Sequence, residues 1–361
     1  MTKKSIPIRP VPGHSDRAAV VLPAEWMPQS GVMLTWPRRE SPWGAQRPSV
    51  EAVFLRLAAE IARRELVLIV IEDERERARI TQELRGQGTD PDKLRFATAP
   101  SNDVWARDHG PIVVWRGAQT VLLDFRFNGW GRKYASDEDD RITRRLHDQG
   151  VFGRHAREPV DLVLEGGSIE SDGTGTLLTT ARCLLSPTRN PKLARNGVEE
   201  QLAAWLGARR VLWLEHGFLA GDDTDSHVDT LARFCDPKTI AYVSCEDPGD
   251  EHYDELSAMG AELAALRTAA GKPYRLVPLP WPRARLEDSG ERLPATYANF
   301  LIINGAVLVP LYDDPADGEA LTRLAACFPG REIVGIPALP LIRQYGSVHC
   351  VTMQLPKGVL T

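Results

Sequence analysis

The chain has 361 residues, of which 43% are hydrophobic and 26% charged, with a net charge of −5. That excludes a disulfide-stapled miniprotein and a disordered chain, and the slight acidity argues against a nucleic-acid binder, which usually shows a basic face or a high pI. No apolar run approaches the roughly 18 residues of a membrane span, and the start Met1-Thr2-Lys3-Lys4-Ser5 leads into prolines and charges, with no apolar signal region.

In chain order, the first clear element is a helix over residues 50–64, with Val50, Val53, Phe54, Leu57, Ala58 and Ile61 at helical spacing. The continuous β-branched run 66–71 reads as a buried strand, followed by a charged helix over 74–84 and a short strand at 94–98. Past a polar stretch, 112–115 and 121–127 form a hairpin-like pair broken at Gly117. The same order then returns. A strand at 160–164 leads to the pair 168–170 and 176–180, turned at Asp172-Gly173, then a helix over 191–206 and a strand at 211–214. The pair 231–234 and 239–243, a helix over 250–270 and a strand at 274–279 follow. Residues 297–303 and 306–311 pair across Asn304-Gly305, a strong hairpin turn. A helix over 316–327, a strand at 333–336 and a closing stretch at 348–355 complete the chain.

A unit of strand, polar loop, hairpin and helix therefore recurs roughly every 50 to 70 residues, the mark of repeated supersecondary units. The reading is an α/β protein forming one domain over residues 1–361, with about the first 20 residues loosely ordered and the proline-rich 278–294 a surface loop. The five cysteines, at 183, 235, 245, 327 and 350, are odd in number and lack any C-x-x-C pair, so reduced thiols are expected. No clustered Cys/His spacing indicates a metal.

Four polar, glycine-containing segments stand where strands end: residues 102–111, 164–168, 221–229 and 346–350. Such loops, placed by a rigid sheet, are where catalytic groups usually sit. Taken singly their residues have ordinary readings. Asp108 between Arg107 and His109 suits a turn or ion pair, Glu165 a solvated strand end, His227 and Asp229 a structural hydrogen bond, Trp105 the core, and Cys350 a small buried apolar residue. Together, acid-rich loops with one His and one Cys point to a cationic substrate and a thiol nucleophile.

In combination and order, these segments resemble the agmatine deiminase and Porphyromonas-type peptidyl-arginine deiminase family, within the guanidine-modifying (pentein) enzymes. The resemblance runs from Pro23-Ala24-Glu25-Trp26 and Thr35-Trp36-Pro37, through Asn128-Gly129-Trp130-Gly131, Leu164-Glu165-Gly166-Gly167-Ser168, Leu177-Leu178-Thr179-Thr180 and Ile302-Ile303-Asn304-Gly305-Ala306, to His349-Cys350. It implies a five-bladed, pseudo-symmetric α/β propeller of ββαβ modules around a central site. It also implies Cys350 as nucleophile, His227 as general acid/base, Glu165 as its carboxylate partner, and Asp108 and Asp229 as clamps on a guanidinium.

The chemistry agrees with those roles, because a guanidinium presents a planar fork of donors that carboxylates accept in pairs, leaving its carbon open to a thiolate. Addition of Cys350, loss of ammonia and hydrolysis of an amidino-cysteine would complete the reaction without a metal or organic cofactor. The implied function is hydrolysis of agmatine to N-carbamoylputrescine and ammonia, toward putrescine and other polyamines, in the cytoplasm. The partners are a small cationic guanidino substrate and, from the family, a second copy of the chain in a homodimer or higher homo-oligomer; no nucleic acid or membrane is expected. Asp223, from the cluster Asp222, Asp223 and Asp225, is the candidate for the tail amine, Trp105 for the methylene chain or the guanidinium face, and Gly346 lies in the nucleophile loop.

Two departures from the family pattern bear on the substrate. Ser226 and Thr230 flank the His227 segment where the family shows Gly-Asn, and the glycine-rich run before His-Cys is reduced to Gln344-Tyr345-Gly346-Ser347. Free or peptidyl C-terminal arginine is the alternative substrate, with Arg107, Arg126, Arg132 or Arg343 to meet its carboxylate. A non-catalytic guanidino- or partner-binding propeller is the alternative of another class.

Overall fold

A computed structural model describes residues 19–41 and 43–361 of the chain. The expectation of a loosely ordered start falls almost wholly on residues 1–18, which lie outside the described residues. Among the described residues no helix is long and apolar enough to cross a membrane.

Five sheets repeat one plan: an antiparallel strand pair, then a connection carrying a helix, then a third strand parallel to the second. They comprise Ile112–Arg116, Gln119–Arg126 and Ala156–Val163; Ile169–Ser171, Thr176–Thr180 and Arg210–Leu214; Ala232–Asp236, Thr239–Val243 and Arg275–Leu279; and Leu301–Ile303, Ala306–Leu311 and Glu332–Pro337. The fifth joins both ends of the chain. Its antiparallel pair is the last strand, Thr352–Pro356, against Gln29–Thr35, and Leu66–Ile71 then runs parallel to Gln29–Thr35. Pairing of Thr352 with Leu34 thus locks the segment after Cys350 onto the start of the fold.

The helices Arg47–Ala62, Arg195–Leu206, Tyr253–Ala265 and Asp317–Ala325 close these units by burying their apolar faces against the sheets. The largest buried cluster draws on residues from Val32 to Val351, so units far apart in sequence share one core.

Several expectations are corrected. Gln29–Thr35 is an unexpected strand; its polar start and Gly31 break any alternation, yet most of it is buried. The helix expected over 250–270 ends at Ala265, because the chain reverses through a turn in which Thr268 N–H donates to Lys272 O before the strand at Arg275. Ile142–Asp148 is a helix that the pattern missed. The surface loop 278–294 carries a two-stranded ribbon, Arg285–Leu286 with Arg292–Leu293. The strand expected over 297–303 shortens to Leu301–Ile303, since residues just before it belong to the site.

Candidate active site

Each unit brings a loop to the site from one equivalent place, the residues just before the first strand of its antiparallel pair. Asp108 lies on the short helix Ala106–His109 before the strand at Ile112, Gly167 before Ile169, Asp229 before Ala232, Asn299 before Leu301, and Cys350 before Thr352. Loops held at both ends by paired strands can carry unsatisfied polar groups without losing their geometry.

Gly167 is the meeting point. A Cβ built on it would stand 2.6 Å from His227 Nδ1 and 3.0 Å from both Asp108 Oδ1 and Asp229 Oδ2. Its backbone N–H donates to Asp108 Oδ1 at 3.0 Å, while Trp130 Nε1–H donates to Asp108 Oδ2 at 3.0 Å. Glycine is required here because the three functional groups occupy the space of a side chain. Gly167→Ala is therefore expected to lower kcat/KM by about 100-fold or more, since misplacement of catalytic groups by an ångström has effects of that size. Steady-state kinetics on the folded variant would check it, and near-normal activity would remove Gly167 from the site.

The electrostatics follow from burial. Burial pushes the Asp108 carboxyl up to about 6, with Asp229 and Glu165 adding to the rise and His227 opposing it. Burial works against a charge on His227 too, but the Asp108 carboxylate, 3.7 Å from its Nδ1, prevails and raises the imidazole well above its ordinary range. Among the described residues neither His227 ring nitrogen has a hydrogen-bond partner, so its proton is available for transfer. The Cys350 thiol is pushed well up by burial and by Asp229 and Asp108, hence it rests neutral in the free protein. It lies 3.4 Å from Asn299 Oδ1, which also accepts the backbone N–H of His349 at 2.9 Å. Asp229 Oδ2 accepts His349 Nδ1–H at 2.7 Å, and Oδ1 is buried without a partner. Burial favours protonation of Asp229, but His349 holds it below the usual carboxylate range.

Glu165 is fully buried and engages Arg189 Nε through both oxygens, at 2.9 and 3.0 Å. Its carboxylate is within 4.8 Å of a His227 nitrogen and of the Cys183 sulfur, without a hydrogen bond to the imidazole. Glu165, Cys183 and His227 form one close group of metal-donor atoms, and Glu25, Glu170 and His349 another. Each is already balanced by a buried arginine, Arg189 or Arg233, and we assign neither to a metal.

A cavity of about 290 Å³ opens above these groups. Cys350, Asp108, Trp105, Asp223 and Gly346 all line it, whereas Glu165, His227 and Asp229 do not. Trp105 is both core and cavity wall: it packs on Trp43, and a Cβ on Gly346 would meet its ring at 2.0 Å. The acidic cluster divides. Asp222 organises the loop by accepting the N–H groups of Thr224 and Ser226, and Asp225 pairs with Arg189 and Lys133. Only Asp223 of the three faces the cavity, where burial raises its carboxyl. Of the four candidate arginines, Arg343 lines the cavity; Arg107 is buried beside Glu25, and Arg126 pairs with Asp140 and Asp161. Arg132 is exposed.

Sequence reasoning missed Asn299, Arg189, Trp130, Asp103 and Tyr134. The repeat could have revealed Asn299, which occupies in its unit the place that Asp108 and Asp229 hold in theirs. Single arginines and aromatics carry no spacing signal. All five cysteines are buried and unpaired, as expected.

The chain matches the Porphyromonas-type peptidyl-arginine deiminase family over residues 21–356. It is 35% identical over 358 residues to an agmatine deiminase of Stutzerimonas stutzeri, covering 93% of this chain and 95% of that protein. Among solved structures, it is similar to a Porphyromonas gingivalis protein thought to be an arginine deiminase, with a TM-score of 0.90 and 49% identity over 95% of this chain and 100% of that one. It is also similar to C. jejuni agmatine deiminase with substrate bound, with a TM-score of 0.86 and 34% identity over 94% and 97%.

Proposed function

The chain belongs to the Porphyromonas-type peptidyl-arginine deiminase family, and from that premise we propose that it is an agmatine deiminase, a hydrolase yielding N-carbamoylputrescine, a putrescine precursor, and ammonia. The observation that carries the reading is the convergence of Asp108, Asp229 and His227 on Gly167, next to a cavity lined by Cys350.

Asp108 and the unpartnered Asp229 Oδ1 clamp the guanidinium from two loops, fixing its plane. The substrate's positive charge offsets the two carboxylates that keep Cys350 protonated, so as substrate binds the thiol releases its proton to solvent and the thiolate forms. Cys350 Sγ bonds to the guanidinium carbon, and His227, already charged, gives its proton to the departing nitrogen, which leaves as ammonia. The resulting amidino-cysteine is attacked by a water that His227 deprotonates. Collapse of that adduct breaks the C–S bond, the departing thiolate takes up the adduct's hydroxyl proton, and the ureido product leaves with the Cys350 thiol and the charged His227 restored. Glu165, held by Arg189, backs His227 as a fixed negative charge.

The same premise supports a five-bladed propeller as the arrangement of the five repeated units, a single domain, a cytoplasmic protein and a homodimer or higher homo-oligomer. The shared core supports the single domain.

Asp223 is the partner for the tail ammonium, and Trp105 covers the methylene chain. A second reading, free or peptidyl arginine, is favoured by Arg343 in the cavity lining. Ammonia release from agmatine, arginine and an arginine-terminated peptide, measured side by side, separates the two. Agmatine is expected to be preferred, and Asp223→Asn to raise its KM about tenfold. Preference for an α-carboxylate substrate that is lost in Arg343→Ala would overturn the agmatine assignment.

A further inference from the structure

A second chain of buried charges lies behind Asp229. Its parts come from three distant segments: Glu25 near the start of the fold, Arg233 on the strand Ala232–Asp236, and His349 beside the nucleophile. His349 is 1% exposed and sits between two carboxylates, with Nδ1 at 2.7 Å from Asp229 Oδ2 and Nε2 at 2.7 Å from Glu25 Oε2. Glu25 is itself fixed. Its Oε2 accepts Arg233 Nη2–H at 3.0 Å and its Oε1 accepts the Ile302 N–H at 2.7 Å. Arg233, wholly buried, is held in turn by Glu170 and by the Phe300 carbonyl at 2.6 Å.

We infer that Glu25 and His349 form a positioning relay for Asp229, in which Glu25 keeps the His349 ring doubly protonated and His349 keeps Asp229 ionised with Oδ1 turned free toward the guanidinium. The argument is one of donors and acceptors. A neutral imidazole carries one N–H and one lone pair, and a lone pair at 2.7 Å from a carboxylate oxygen would be repulsive. Both ring nitrogens face carboxylate oxygens, so both carry hydrogens. Burial would push Glu25 toward protonation, but Arg233 and then His349 hold it well below the usual carboxylate range, so an anion is present to keep that second proton. The other charged or titratable groups against His349 are Arg107, whose Nε is 3.4 Å from the His349 carbonyl, Glu170, within 4.8 Å, and the adjoining Cys350. The consequence for Asp229 is geometric. With Oδ2 tied to His349, the carboxylate cannot rotate, and its unpartnered Oδ1 is the atom left for substrate.

This rests on reading Asp229 as a guanidinium clamp, and the test separates the two ideas. In protein labelled with ¹⁵N-histidine, with His349 assigned by its loss in His349→Asn, wild type is expected to show an imidazolium signature at His349 at pH 7, whatever the substrate. Glu25→Gln is expected to convert that ring to the neutral form. It is also expected to raise the KM for agmatine about tenfold with kcat within about threefold, and to shift the alkaline limb of kcat/KM down by one pH unit or more. Glu25→Asp, which keeps the charge, should recover most of the KM. A merely structural Glu25 would lower the yield of folded protein and leave the KM and pH profile of the folded fraction unchanged, which would overturn the relay. A neutral His349 at pH 7 in wild type overturns it too, even if Glu25→Gln does not fold. Wild type inactive on agmatine but with the imidazolium signature at His349 would overturn the substrate assignment and uphold the charge chain.

Discussion

Cys350→Ala is expected to lose turnover by at least about 10⁴-fold while binding agmatine with near-normal affinity. The chemistry requires a bond to the guanidinium carbon, a centre stabilised by resonance, and Cys350 is the cysteine in the cavity lining. Cys183 lies close to His227, but it is fully buried, does not line the cavity, and is held as a thiol by burial. Water cannot take over, because the hydrolytic step begins from a thioether carbon that the alanine variant never makes. Affinity should survive because Asp108 and Asp229 are untouched. The thiol is neutral in the free protein, so its removal leaves the charge that first meets the substrate unchanged, and the two carboxylates carry the affinity. Calorimetric titration with agmatine, beside ammonia release, measures both quantities on one sample. Turnover within about tenfold of wild type would place the nucleophile elsewhere.

How much of this was legible in the sequence depends on what each residue must do. Strands buried on both faces, such as Leu66–Ile71 and Ala306–Leu311, read directly, since they must be apolar throughout. Gln29–Thr35 did not, because its partners are the last strand of the chain and a strand across a helix, and of its polar first residues Ser30 bonds the last strand while Gln29 bonds the Glu25 and Ile302 carbonyls. The groups proposed for the chemistry sit in short ionisable loops with glycine between apolar runs, so Asp108, Glu165, His227, Asp229 and Cys350 stood out as a set. Their supports did not. Arg189 is defined by bonds to Glu165, Asp225 and the Thr224 carbonyl, and Asn299 by bonds to His349 and Cys350, partners that only folding brings together. The Asp222 to Asp225 run shows the limit from the other side. Composition marks three carboxylates alike, while the backbone turns two into loop anchors and sends one to the cavity.

Asp108→Asn should behave differently from Cys350→Ala, losing binding and turnover together, with kcat/KM down by about 10⁴-fold or more. Removing one charge of a buried pair costs about 2–5 kcal/mol in binding, and general-acid catalysis contributes about 10²–10⁴-fold. The variant forfeits both, because Asp108 is the proposed clamp and also the carboxylate that raises His227. The amide cannot substitute quietly. Asp108 accepts from Gly167 N–H and from Trp130 Nε1–H, so an asparagine NH₂ would face one of these donors.

The pH profile distinguishes this role from a structural one. The free protein's Asp108 titrates near 6, and only its ionised form clamps a guanidinium. Wild-type kcat/KM should therefore fall about tenfold per pH unit below 6 and form a plateau between that acid limb and the alkaline one, and the acid limb should vanish in Asp108→Asn. The sign for stability is opposite. A carboxyl whose folded pKa is raised binds protons more tightly in the folded chain, so its ionisation destabilises the ligand-free fold as pH rises from about 4 through 6. Agmatine reverses that effect by supplying the missing cation. Thermal melts should accordingly show agmatine raising the Tm of wild type and of Cys350→Ala more at pH 7 than at pH 5, and leaving Asp108→Asn unmoved at both. Agmatine stabilising Asp108→Asn as much as Cys350→Ala would mean that the guanidinium is held elsewhere than between Asp108 and Asp229.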